Sequence, residues 1–166
     1  MNIILHEPEM PQNTGNIGRT CVATGTSLHL IEPLGFKIDD KSLKRAGMDY
    51  WKDLDVHYYT NFQDFLNKNP NANIYMATTK ALNTYSDIKF KDDDFIMFGS
   101  EGSGIPEEIL LHYKDNSIRI PMLEQYRSLN LSNSVAIVLY EALRQNSFKG
   151  CQMEGHLHRH SWSEAE

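Results

Sequence analysis

The sequence is short of basic charge, poor in cysteine and free of long apolar runs. Its 16 Lys and Arg stand against 22 Asp and Glu, for a net charge of −6. That balance excludes a protein that holds nucleic acid by overall charge, and leaves open one that does so through a local patch. The 2 cysteines, Cys21 and Cys151, are far apart and lack metal-type partner spacing, so free thiols in a reducing compartment are expected. No run approaches the length of a membrane span. The opening "MNIILHEPEM" lacks a basic start and carries acids early, unlike a secretory signal. These absences together lead us to expect a cytoplasmic chain with no membrane partner. The glycine-rich stretch "FGSEGSGIP" (98–106) has no Lys, so it is not a triphosphate loop. Its Gly99, Gly102 and Gly104 also have the wrong spacing, and come too late, for a dinucleotide fingerprint.

What is present suits one domain with a proper core: 166 residues, 40% hydrophobic and 23% charged. Apolar runs predict strands at 2–7, 28–32, 55–59, 73–79, 94–99 and 116–121. Helices are predicted at 14–25, 40–47, 61–68, 106–113 and 129–147. Thr14 would cap the first helix and Gly25 would stop it; Asn61 would cap the third. Alternating strands and helices argue for an α/β fold, a mostly parallel sheet with helices on both faces. Residues 1–150 would form the domain. The polar, aperiodic 151–166 would be a disordered or tag-derived tail, and its alternating His156, His158 and His160 are not read as a metal site.

Ligands of such sheets sit beyond the carboxyl ends of strands, and three loops there are unusual. In 98–106, Glu101 would repel a phosphate, so a ligand with a nucleoside and a positive charge fits better; an ordinary glycine-rich turn is the alternative. In "NTGNIGRT" (13–20), Asn13, Asn16 and Arg19 are three apart, and Gly15 and Gly18 would keep their shared helix face low. Arg19 near a helix N-terminus is at the unfavourable end of the dipole. It either invites an anion such as phosphate or pairs with a nearby Glu. In "IPMLEQYRSLNLSNS" (120–134), two Asn and three Ser precede a helix apolar almost all round, which predicts burial on every side and a subunit interface. Capping needs only one of those polar side chains. The basic run Lys37 to Lys52 has five Lys and Arg against three Asp and is either a solvated helix face or an RNA contact.

Together the three loops resemble the SPOUT superfamily of S-adenosylmethionine-dependent RNA methyltransferases. The likeness is to the minimal single-domain branch acting on the tRNA wobble nucleotide, and it spans residues 2 to about 150. "NTGNIGRTC", "MFGSEGSGIP" and "IRIPM…RSLNLSNSVAIVLYEALRQ" look like its three motifs, and "RAGMDYW" (45–51) also resembles this branch. Ser103 departs from it, where relatives often carry a larger residue. The resemblance implies a C-terminal deep trefoil knot and a homodimer, with Asn16 and Tyr140 at the interface. It implies methyl transfer to the ribose 2′-oxygen of cytidine or uridine 34 in the anticodon stem-loop of leucine tRNAs, with no metal. Cofactor contacts fall on Ala77, Thr78, Thr79, Gly99, Glu101, Gly102, Ile120, Met122, Ser128 and Leu129. Substrate contacts fall on Asn13, Asn16, Arg19, Lys44, Arg45 and Arg127, and the catalytic group on Arg19, Glu101 and Asn130. The three loops contain no His, so Arg19 as clamp and polariser or Glu101 as base is open. Rival readings are a nucleotide hydrolase on the same architecture, a methyltransferase for another tRNA or rRNA site, and a non-catalytic RNA-binding protein.

Overall fold

Strand β1 (Asn2–His6) shows why the sequence reads as unbroken apolar runs. Ile3 and Leu5 enter one core, Ile4 enters another, and all three are fully buried. A parallel strand covered on both faces has no polar side to alternate with. The computed structural model describes residues 1–37 and 49–164. Among these, seven strands form one sheet: β1, β2 (Ser27–Ile31), β3 (Val56–Tyr59), β4 (Ile74–Ala77), β5 (Asn83–Thr84), β6 (Phe95–Phe98) and β7 (Ser117–Arg119). Their order is β3-β2-β1-β6-β4-β7-β5, and every pairing is parallel. The first three strands step outward on one side of β1, and the rest lie on the other. The chain therefore reverses at the β1/β6 junction, the switch point where ligands of such sheets bind.

Helices α1 (Pro11–Thr24) and α4 (Leu131–Gln145) cover one face. Ile17, Cys21, Val135, Val138, Leu139 and Ala142 meet Ile3, Leu5, Leu28, Leu30 and Ile96 there. Helices α2 (Phe62–Lys68) and α3 (Glu107–His112) cover the other, with Ile4, Ile31, Met76 and Met97 beneath them. Phe65 of α2 is fully buried, worth about 2–3 kcal/mol in apolar transfer. Asn61 caps α2 as expected: its Oδ1 accepts from the Asp64 N–H at 2.9 Å.

One expected helix start is corrected. Helix α1 begins at Pro11, not at a Thr14 cap; Met10 precedes it with no side-chain cap, and proline's fixed φ suits the first helical position. Gly25 does end it in the left-handed region, φ 63°. In the single chain helix α4 leaves one side uncovered, the side expected to meet a second subunit. Val135, Val138, Leu139, Ala142 and Leu143 make one buried stripe, while Ile137 and Tyr140 lie on the opposite side, 38% and 49% exposed. Strand β5 had no sequence signal, being two polar residues held at the sheet edge by β7. The helix expected at 40–47 lies outside the described residues. Beyond Cys151 the only regular element described is a 3-10 turn, Trp162–Glu164, and residues 152–163 are exposed.

Candidate active site

The loops after β1, β4, β6 and β7 surround a cavity of about 570 Å³, the size of a small-molecule or cofactor site. All ten residues expected to hold the cofactor line it: Ala77, Thr78, Thr79, Gly99, Glu101, Gly102, Ile120, Met122, Ser128 and Leu129. Asn13, Arg127 and Asn130 line it too. Ile118, Ile120, Met122, Leu129 and Val138 supply apolar surface, and the glycine-rich loop supplies backbone donors and acceptors. Backbone polar groups beside apolar walls are the chemistry that a nucleoside with an aliphatic arm requires, so S-adenosylmethionine fits this donor set.

A hydrogen-bond relay joins the three unusual loops. Glu101 takes the Glu9 N–H on Oε2 at 2.8 Å, and on Oε1 the Met10 N–H at 3.2 Å and the Asn13 amide at 2.9 Å. Asn13 Oδ1 accepts from Asn130 Nδ2 at 3.0 Å. Asn130 Oδ1 in turn caps α4, accepting from the Ser132 and Asn133 N–H groups at 2.9 and 3.3 Å. Of the five polar residues singled out, Ser132, Asn133 and Ser134 fall within the first turn of α4, and Asn130 caps it, as capping alone demands, while the same side chain belongs to the site. Burial would raise the Glu101 carboxyl, but the bonds from Asn13 and from the Glu9 and Met10 backbone outweigh it and hold the group below its usual value.

The glycines of 98–106 are explained by their own chain. A Cβ on Gly99 would collide with the backbone of Gly104 and Ile105. One on Gly102 would meet the Glu9 carboxylate at 3.1 Å, where the Gly102 N–H already donates to Glu9 Oε2. Gly104 sits at φ +72°. Ser103 closes the turn on Ser100, Oγ to Oγ 2.7 Å. The loop is thus folded tightly on itself, with only its outer surface turned to the cavity.

Asn13, Asn16 and Arg19 do not share a face. Asn13 is buried in the relay, while Asn16 and Arg19 are exposed and do not line the cavity. Gly15 and Gly18 do not leave α1 open to another chain either. The Tyr50 hydroxyl donates to the Gly15 carbonyl, and a Cβ on Gly18 would meet Trp51 at 2.9 Å and Leu54 at 3.3 Å. The guanidinium of Arg19 lies over the Tyr50 ring, 4.9 Å from its centroid, and forms no ion pair among the described residues. The reading of Arg19 as a partner for Glu therefore fails there. Lys44 and Arg45 lie outside the described residues, and Tyr140 faces outward on α4 away from the cavity.

Sequence reasoning missed Glu9, Met10 and Lys80. Met10 lines the cavity, and Lys80 lines it while pairing with Glu107 at 2.7 Å. The "EPEMP" spacing, two prolines bracketing Glu9 and Met10 just past a strand, was the available signal for the first two.

An all-parallel sheet with a ligand cavity at its switch point defines an α/β enzyme of the cofactor-binding kind. The model of the SpoU rRNA Methylase family matches residues 1–140, and the chain belongs to that family. A tRNA (cytidine(34)-2′-O)-methyltransferase from Saccharophagus degradans is 45% identical over 150 residues, covering 90% of this chain and 97% of that one. A relative from Geobacillus stearothermophilus, provisionally named for the same activity, is 49% identical over 153 residues, 90% of this chain and 98% of its own. A solved structure concerned with 2-OH methylation of C/U34 on tRNA superposes with a TM-score of 0.82 at 39% identity, over 88% of this chain and 95% of that one. An AdoMet-bound rRNA methyltransferase from Sinorhizobium meliloti superposes at 0.73 with 27% identity, over 86% of this chain and 55% of that one.

Proposed function

We propose that the protein is an S-adenosylmethionine-dependent methyltransferase that modifies the ribose 2′-hydroxyl of cytidine or uridine 34 in the tRNA anticodon loop, with leucine tRNAs as substrates. The observation that carries it is the single cavity lined by all ten expected cofactor residues, in a chain whose relatives bear that activity in their names. The cofactor supplies an electrophilic methyl on a sulfonium. Ala77 to Thr79, Gly99, Gly102 and Ile120 to Met122 would hold it, largely through backbone groups, with Ser128 and Leu129 as the outer wall.

The chain's residues then position rather than react. Glu101 has both oxygens occupied and a lowered affinity for protons, which makes it a clamp on the 9–13 loop rather than a base. Asn130 fixes α4 to that clamp. Among the described residues Arg19 keeps its donors free of carboxylates, and as a permanent cation it binds the phosphate beside the target and polarises the hydroxyl, whose proton leaves to phosphate or water.

Because Arg19 lies outside the cavity of its own chain, the reading requires a homodimer in which the partner subunit's Arg19 faces it. The exposed Ile137 and Tyr140 stripe of α4, with Asn16 on α1, is the surface assigned to that contact. Residues 1–150 act as one domain, knotted at the C-terminal end, in the cytoplasm. Arg127, Lys44 and Arg45 complete the RNA contacts.

The test is methyl transfer from labelled cofactor to methylation-deficient tRNA, followed by digestion and mass spectrometry. A 2′-O-methylated nucleoside at position 34 is expected; a methylated base, or cofactor binding without transfer, would refute the assignment. Mixing Arg19→Ala chains with Leu129→Trp chains should restore activity lost by each alone, since one composite site of the hybrid is intact. Failure of that rescue while both variants stay dimeric would remove the shared site.

A further inference from the structure

We infer that Tyr50 is the positioning residue for Arg19, a role that rests on the methyltransferase reading above. Three observations carry it. The Tyr50 hydroxyl donates to the carbonyl of Gly15, one turn before Arg19 on the same helix. The ring lies beneath the guanidinium, 4.9 Å from centroid to Cζ. The next residue, Trp51, is 9% exposed and fills the space that Gly18 leaves open. The ring is therefore fixed at both ends: by its hydroxyl to the helix backbone and by its neighbour's indole to the helix surface.

An arginine on an exposed helix face can be oriented by a carboxylate or by an aromatic face. A carboxylate would occupy two of its donors and cancel its charge. An aromatic face attracts the cation through the ring quadrupole and leaves the N–H donors at the edge of the guanidinium plane free of any carboxylate, even where one also reaches the ring's own hydroxyl. Arg19 has the second arrangement and no carboxylate partner among the described residues. That is what an arginine needs if it is to meet a phosphate with its full charge and in a fixed plane. Without the ring, Arg19 would keep its charge but lose its orientation.

The test is a double-mutant cycle on tRNA affinity, with cofactor affinity and melting temperature measured alongside. Tyr50→Leu should weaken tRNA binding about tenfold and lower kcat, with cofactor affinity unchanged. Tyr50→Phe, which keeps the ring, should stay within about threefold of the unsubstituted protein. In an Arg19→Ala background, Tyr50→Leu should cost nothing further, because the residue it orients is gone. Should the leucine variant not fold, Tyr50→Met, of similar bulk without a π face, takes its place. An equal loss from Tyr50→Leu with and without Arg19, or a Phe variant as poor as the Leu variant, would overturn the inference. Absence of any methyl transfer by the unsubstituted protein would instead overturn the functional reading beneath it.

Discussion

Replacing Asn13 by Ala should loosen the whole site, and the size of the effect can be worked from its bonds. Asn13 is 5% exposed. Its amide donates to an ionised carboxylate at 2.9 Å, a charge-assisted bond worth about 1.5–3 kcal/mol. Its carbonyl takes the Asn130 amide at 3.0 Å, worth about 0.5–1.5 kcal/mol. Asn130 is exposed, so water replaces the second bond, and Glu101 keeps the two backbone donors. The expected loss is therefore near the lower sum, about 2 kcal/mol, or about 4–8 °C in Tm for a chain of this length. Urea denaturation at pH 7 with and without cofactor measures it, and cofactor affinity should fall as well.

The pH dependence supplies a second check. The Glu101 carboxyl is held below its ordinary value in the folded chain, so the stability it contributes is present above the unfolded pKa and is lost as pH falls through the folded one. The gap between the Asn13→Ala variant and the natural chain should therefore narrow on acidification below about pH 4. Asn13→Asp would place a second carboxylate against Glu101. It should be worse than Ala at pH 7 and recover part of the loss as pH falls. A loss under about 0.5 kcal/mol for Asn13→Ala with unaltered cofactor affinity would refute the relay as a source of order.

Gly99→Ala should cost about 1–3 kcal/mol, because the added methyl meets backbone that cannot swing away; calorimetry should show cofactor binding lost, and normal binding would contradict the close approach. The Thr14 hydroxyl is buried without a partner among the described residues, so Thr14→Val should leave stability unchanged or raise it by about 1 kcal/mol in denaturant titration; a clear loss would reveal a hidden partner. His29 is held at a pKa of about 4 by burial and by His57, against Asp55. The unfolded chain takes that proton first, so stability should fall by up to about 3 kcal/mol between pH 6.5 and 4. A His29→Gln variant should lose most of that slope.

The three site loops were legible because their residue types break the local rules: glycines clustered after an apolar strand, and more polar residues around the start of α4 than capping needs. The sheet was legible from its buried runs, since Ile3, Ile4 and Leu5 are apolar for two different cores. What stayed hidden depends on contacts between distant segments. Nothing local says that Gly18 makes room for Trp51, or that Gly99 makes room for Gly104. The helical spacing of Asn13, Asn16 and Arg19 suggested one face, but the three span a third of the helix circumference. One therefore turns inward to Glu101 while the others face solvent.

The double use of Asn130 has a consequence for how a ligand gets in and out. Its carbonyl starts α4 while its amide holds Asn13, and Asn13 holds Glu101. The inner wall is thus latched to a helix whose buried stripe is anchored in the core, so movement of one of its loops strains bonds to the others. The outer wall is different: residues 123–129 are exposed, and only the Tyr126 to Leu123 backbone bond closes them on themselves. Exchange of a bound cofactor should then be governed by that outer wall, its rate responding to changes at Leu123, Tyr126 and Leu129 more than to changes in the glycine loop.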